Sequence, residues 1–239
     1  MSSRGRAPDH SKALALWGCQ DARVWLRAAD QYEELALKLT SGKIQIGKST
    51  YRDTEMGVQG IAADIRGADA PELGLDQLLA LRDWKMTRNK WRPSGALVNK
   101  NCDKAVRAST RQAFAVLDHD WEEAIRILSS HSDTKLAGIG PASASMVLML
   151  RSEDLPFYGE EAIRASRTHV DYNLKSYRNF RSTMVERAAI LSEGLPEGQH
   201  LSPCDLERAM WAVAHEQEEQ GGDDADASQE KPPKKARTR

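Results

Sequence analysis

The 239 residues carry 34 basic and 35 acidic side chains, a formal net charge of −1, and 40% hydrophobic residues. That content suits a folded core and excludes a wholly disordered chain, while the neutral balance gives no global field toward nucleic acid or membrane, so partner preference must come from local charge. Apolar runs such as Met146–Leu150 fall far short of the roughly 20 residues of a bilayer span, so no membrane association is expected.

Helical periodicity runs along most of the chain and strand alternation is lacking, which predicts an all-α fold. From the N-terminus, MSSRGRAPDH lacks the apolar stretch of a secretory signal. Asp21–Ser41 places Val24, Ala28, Leu35 and Leu39 near one helical stripe. Between Gly42 and Gly74 the pattern breaks down, with glycines at 57, 60, 67 and 74, and the expectation is a long loop with a short helix around Gln59–Arg66. Val106, Thr110, Ala113 and Leu117 share a face behind Asp103 as a candidate N-cap, and Trp121, Ala124, Ile125 and Leu128 repeat the spacing behind Asp120. Leu206, Ala209, Met210 and Val213 follow Ser202 as cap and Pro203 at the first helical position. The expected organisation is one multi-helix domain over about residues 10–217 and a disordered tail over 218–239.

That tail opens with an acidic run from Glu216 to Glu230 without a large apolar residue and closes on KPPKKARTR. Lys234, Lys235 and Arg237, beside prolines that keep the chain extended, suit the acidic groove of a nuclear import receptor, so a nuclear location is expected. Cys19, Cys102 and Cys204 stand far apart with no CxxC pair, and the histidines show no HExxH or comparable spacing, so neither a disulfide framework nor a metal site is expected.

Gly42–Ser49 (GKIQIGKS) formally matches the phosphate-cradling loop G-x-x-x-x-G-K-[ST]. That loop needs a buried strand before it and a core helix after it. Here an amphipathic helix pattern precedes it, TYRDTEMG makes a poor core helix, and no set of Val- and Ile-rich strands exists to build a parallel sheet. The match reads as chance.

The most informative segment is LAGIGPASASMVLML, Leu136–Leu150. Gly138 and Gly140 permit a tight turn and close approach of another chain, Ile139 anchors it, and Pro141 opens a slim helix. The unpaired N–H groups of Gly140, Ala142 and Ser143, at the positive end of that helix, make a candidate anion site. The segment resembles the helix-hairpin-helix motif of DNA repair proteins, usual form L-P-G-[VI]-G-x-x-[ST]-A, with Leu136, Gly138, Ile139, Gly140, Ser143 and Ala144 matching and Ala137 in place of the proline. The first helix is either a short one just before Leu136 or Trp121–Leu128 followed by an inserted HSDTK. The resemblance implies backbone amides on consecutive DNA phosphates without base reading, sometimes with a monovalent cation held by turn carbonyls, and no other cofactor.

It extends to the DNA glycosylase branch similar to endonuclease III, in which a catalytic Asp lies about 20 residues beyond the second glycine; Glu160 stands there in this chain. The lysine nucleophile of bifunctional members is replaced by Ala142, which argues against β-lyase chemistry.

Local charge adds to the anion reading. Arg82–Arg111 holds nine basic residues against two acidic ones, with Trp84 and Trp91 interleaved. Lys85, Arg88, Lys90 and Arg92 are the expected counter-charges for phosphates, and Lys175, Arg178 and Arg181 lie near another helical face. Three functional readings follow: a nuclear, sequence-independent DNA-binding protein connected to repair; an active monofunctional glycosylase using Glu160, with Trp91, Phe157 or Tyr158 near the base; and a helical interaction module that binds no DNA.

Overall fold

Eleven helices and no strand make up the described residues (8–38, 51–88, 95–168 and 171–216) of the computed structural model. In chain order they are α1 (His10–Gly18), α2 (Ala22–Lys38), α3 (Tyr51–Gly67), α4 (Leu75–Arg88), α5 (Gly95–Val98) and α6 (Asp103–Val116). The remainder are α7 (Trp121–Ser129), α8 (Pro141–Leu148), α9 (Glu160–Ala165), α10 (Leu174–Ser192) and α11 (Pro203–His215). The all-α expectation holds. None of these helices is long and apolar enough to cross a membrane.

The C-terminal helix is the centre of the fold. α11 packs against α1, α2, α9 and α10, and it buries Cys204, Leu206, Ala209, Met210, Trp211, Ala212 and Ala214 around most of its circumference. A helix apolar on nearly every side is stable only inside a shell of others. Its start is set by a capping box: the Ser202 hydroxyl accepts from the Asp205 N–H, and the Asp205 carboxylate accepts from the Ser202 N–H. α2 lies along α11 with Ala22, Trp25, Ala28, Tyr32 and Ala36 buried. This face is rotated from the predicted stripe, since Val24 and Leu35 are only half-buried.

The long-loop expectation for 42–74 is corrected. Residues 51–67 form α3, which buries Val58, Ile61 and Ile65 at helical spacing, with Thr54 and Glu55 buried on the same side. Gly57 and Gly60 obscured this pattern; both sit in the helix with nothing within 4 Å of where a Cβ would stand. Residues 42–49, the formal phosphate-loop match, lie outside the described residues.

α6 buries Val106, Thr110, Ala113 and Phe114 as its periodicity demands, but Cys102 is its N-cap. Asp103 occupies the first helical position, accepting from the Leu75 N–H at 2.8 Å and pairing with Arg107. α7 starts behind Asp120, whose side chain caps the Glu123 N–H at 2.9 Å. It ends at Ser129, so residues 130–140 separate it from α8, which decides the open question about the preceding helix in favour of the one at Trp121. The main apolar cluster runs from Ala13 to Ala214 and includes residues of every helix that packs on α11, and a smaller one joins Tyr32 and Ala36 to Trp211 and Ala212.

Candidate phosphate-binding face

The turn at 137–140 is held from outside by a residue the sequence did not flag. Asn101 donates its Nδ2 to the carbonyls of Val98 (2.8 Å) and Ala137 (3.0 Å), and its Oδ1 accepts from the Ala137 N–H at 2.8 Å. An asparagine in a polar connector carries no periodic signal, which is why only the three-dimensional pairing reveals it. Gly138 follows with φ +76°, a region side chains avoid, and a Cβ there would come within 3.0 Å of Leu97 and Val98. The close approach that this glycine permits is therefore to α5 of the same chain. Ile139 is buried beneath the turn at 5% exposure.

Gly140 differs from the expectation. At φ −102° and ψ −179° it is in extended backbone open to any residue, and nothing lies within 4 Å of a built Cβ. Its carbonyl accepts from Ser143 and Ala144 as α8 begins behind Pro141. The N–H groups of Gly140 and Ala142 have no acceptor among the described residues. Lys85, from α4, donates its Nζ to the Ser143 hydroxyl at 2.7 Å, which brings a cation to the same helix end, and no acidic residue occupies that first turn. The carbonyls of Leu136, Ala137 and Gly140 already accept internal hydrogen bonds.

Part of the basic stretch around α4 is paired with carboxylates. Arg82 pairs with Asp83, Arg107 with Asp103 and Glu72, and Arg111 with Glu72; Lys100 and Lys104 are exposed. Arg88 is a correction. It is 5% exposed, and its Nη2 lies 2.7 Å from Glu207 Oε1 in the interior. Four rings surround the guanidinium, with centroids at 5.2 Å (Tyr32), 5.0 Å (Trp84), 5.7 Å (Phe157) and 4.9 Å (Trp211). Its Nη1 donates to the Tyr32 hydroxyl at 3.1 Å; that hydroxyl donates to the Glu55 carboxylate at 3.0 Å, which also accepts from Trp84 Nε1 at 2.6 Å. Burial pushes the Glu207 carboxyl up from its usual range, and the Arg88 charge restrains the rise. Trp84, Phe157 and Tyr158 are core residues at 2%, 1% and 0% exposure, so neither a stacking surface nor a base pocket forms from them. Lys90, Trp91, Arg92 and the tail residues Lys234, Lys235 and Arg237 lie outside the described residues.

Glu160 opens α9 and is paired with Arg164 at 2.6 Å; α9 itself packs on α1 and α11. Glu161, its neighbour, is 3% exposed and pushed up to about 7, chiefly by burial. Arg178 is paired with Glu122, while Arg181 lies over the Trp121 ring at 4.8 Å, so these two are tied to the fold. No group of three or more His, Cys, Asp or Glu side chains placed to hold a metal occurs among the described residues.

Comparison with protein-family models, with curated proteins and with solved structures finds no match.

Proposed function

We propose that this chain is a nuclear DNA-binding protein that holds backbone phosphates at the start of α8, without reading bases, in a setting of DNA repair. The observation that supports it best is the coincidence at one helix end of two unclaimed N–H groups, those of Gly140 and Ala142, with the Lys85 ammonium on Ser143. The left-handed Gly138 and the resemblance of Leu136–Ala144 to the helix-hairpin-helix motif support the same reading. The proposal is for binding rather than base excision, because the Glu160 carboxylate is engaged by Arg164. Import through Lys234, Lys235 and Arg237 supplies the nuclear location.

The interaction-module reading has its own support in the carboxylate pairing of Arg82, Arg107 and Arg111, which ties these arginines to the fold. Fluorescence anisotropy with random duplex DNA separates the two. Phosphate binding predicts affinity that falls roughly tenfold or more between about 50 and 200 mM salt. Gly140→Glu, at a position with open space, retains the fold and abolishes that binding. Absence of binding at low salt, or binding unaltered by Gly140→Glu, overturns the proposal in favour of the module.

A further inference from the structure

At the junction of α1, α9 and α11, two titratable groups face one another in the interior. His215, the last residue of α11, stacks on Trp211 with ring centroids 4.3 Å apart, and its Nδ1 lies 2.9 Å from the Trp211 carbonyl oxygen. A carbonyl can only accept, so Nδ1 carries the proton, and in the neutral ring Nε2 is the bare nitrogen. That nitrogen lies 3.9 Å from Glu161 Oε1. The side chains are 18% and 4% exposed, and the second oxygen, Glu161 Oε2, is buried without a hydrogen-bond partner.

Two bare lone pairs confronting each other at 3.9 Å repel, and a carboxylate in this position would leave Oε2 with no donor. A full ion pair would bury two charges at high desolvation cost. A single proton on the carboxyl group removes both difficulties. The charged neighbours do not reverse this. From α4, Arg88 is engaged by Glu207 of α11; from α9 itself, Glu160 and Arg164 are paired with each other; from α1, His10 adds positive potential near His215.

We propose that Glu161 and His215 are a proton-exchange pair: on folding, the proton that His215 Nε2 carries in mildly acidic water passes to Glu161, and both groups are buried neutral. In the unfolded chain at about pH 5.5 the pair is carboxylate and imidazolium. Folding breaks the Nε2–H bond and forms an O–H bond, leaving the number of bound protons unchanged. Burial acts in this direction on both partners, pushing Glu161 up to about 7 and His215 down to about 4. The consequence is a junction whose closure is indifferent to pH through the mildly acidic range, because each group cancels the other's proton linkage. The inference does not depend on phosphate binding.

The test uses the full chain. Imidazole 15N and carboxyl 13C spectra at pH 5.5 are expected to show His215 as the neutral Nδ1–H tautomer and Glu161 protonated; an imidazolium beside a carboxylate overturns the proposal. Amide hydrogen exchange in α9, corrected for intrinsic rates, reads the linkage. In the wild-type chain the opening equilibrium is expected to stay within about threefold between pH 4.5 and 6.5. Glu161→Gln makes opening rise up to tenfold for each unit of falling pH, and His215→Gln makes it rise up to tenfold for each unit of rising pH. Slopes of the same sign in the two variants, or none in either, contradict the exchange.

Discussion

Replacing Arg88 by methionine keeps most of the side-chain volume inside the four-ring box but removes the guanidinium that pairs with Glu207 in the interior, at 2.7 Å. The Glu207 carboxylate, 3% exposed, is then left uncompensated, and breaking a buried pair from one side costs about 3–5 kcal/mol. Against a typical total of roughly 5–15 kcal/mol, that is a large share of the fold's stability. Glu207→Leu alone leaves the guanidinium without its buried counter-charge and costs a similar amount, whereas Arg88→Met/Glu207→Leu removes both charges and returns to within about 1–2 kcal/mol of wild type. Urea unfolding of the four proteins at pH 7 measures the cycle. The pH profile adds a sign. Without Arg88, the already raised Glu207 carboxyl rises further, so the single variant regains stability as pH falls and the carboxylate takes up a proton. Costs below about 1 kcal/mol for each single change, or a double variant that loses their sum, would refute the account of Arg88 as an interior charge.

The turn before α8 offers two contrasts. Asn101→Ala removes three hydrogen bonds to the backbone at Val98 and Ala137 and should cost about 1–3 kcal/mol in urea unfolding, with faster amide exchange at Ala137. Gly138→Ala meets both a positive φ and the Leu97–Val98 contact and is expected to lose about 1–3 kcal/mol, while Gly140→Ala stays within about 0.5 kcal/mol of wild type; equal losses would contradict the described turn. In His215→Gln, Glu161 titrates without its partner. Its proton leaves the unfolded chain near 4.5 and the folded one near 7, so stability falls by about 3 kcal/mol as pH rises through that interval, read by urea midpoints across pH.

Sequence periodicity located α6, α7 and α11 because each has a strong apolar face, with a local start signal in α7 (the Asp120 cap) and α11 (the Ser202–Asp205 box). It failed for α3, where glycines at 57 and 60 and the polar Thr54 and Glu55 interrupt the pattern. Those polar groups are buried because Tyr32 and Trp84, from two other helices, supply donors to Glu55. The turn before α8 was legible in part. Gly138 has the positive φ and Ile139 the anchoring burial that the turn pattern implies, and Lys85 arrives at Ser143 from a segment 58 residues earlier.

Local patterning by itself determined the all-helical class, the starts of α7, α8 and α11 and the Gly-Ile-Gly turn, since capping, turn conformation and 3.6-residue periodicity depend on neighbours in the chain. Only tertiary structure decided how each charge is engaged. Arg88 and Lys85 read alike in sequence, three residues apart on α4, yet one faces Glu207 among four aromatic rings and the other reaches the end of α8. The electrostatic role of a side chain depends on the solvation and counter-charges brought to it by distant segments, and those are fixed when α2, α4 and α11 close around the same core.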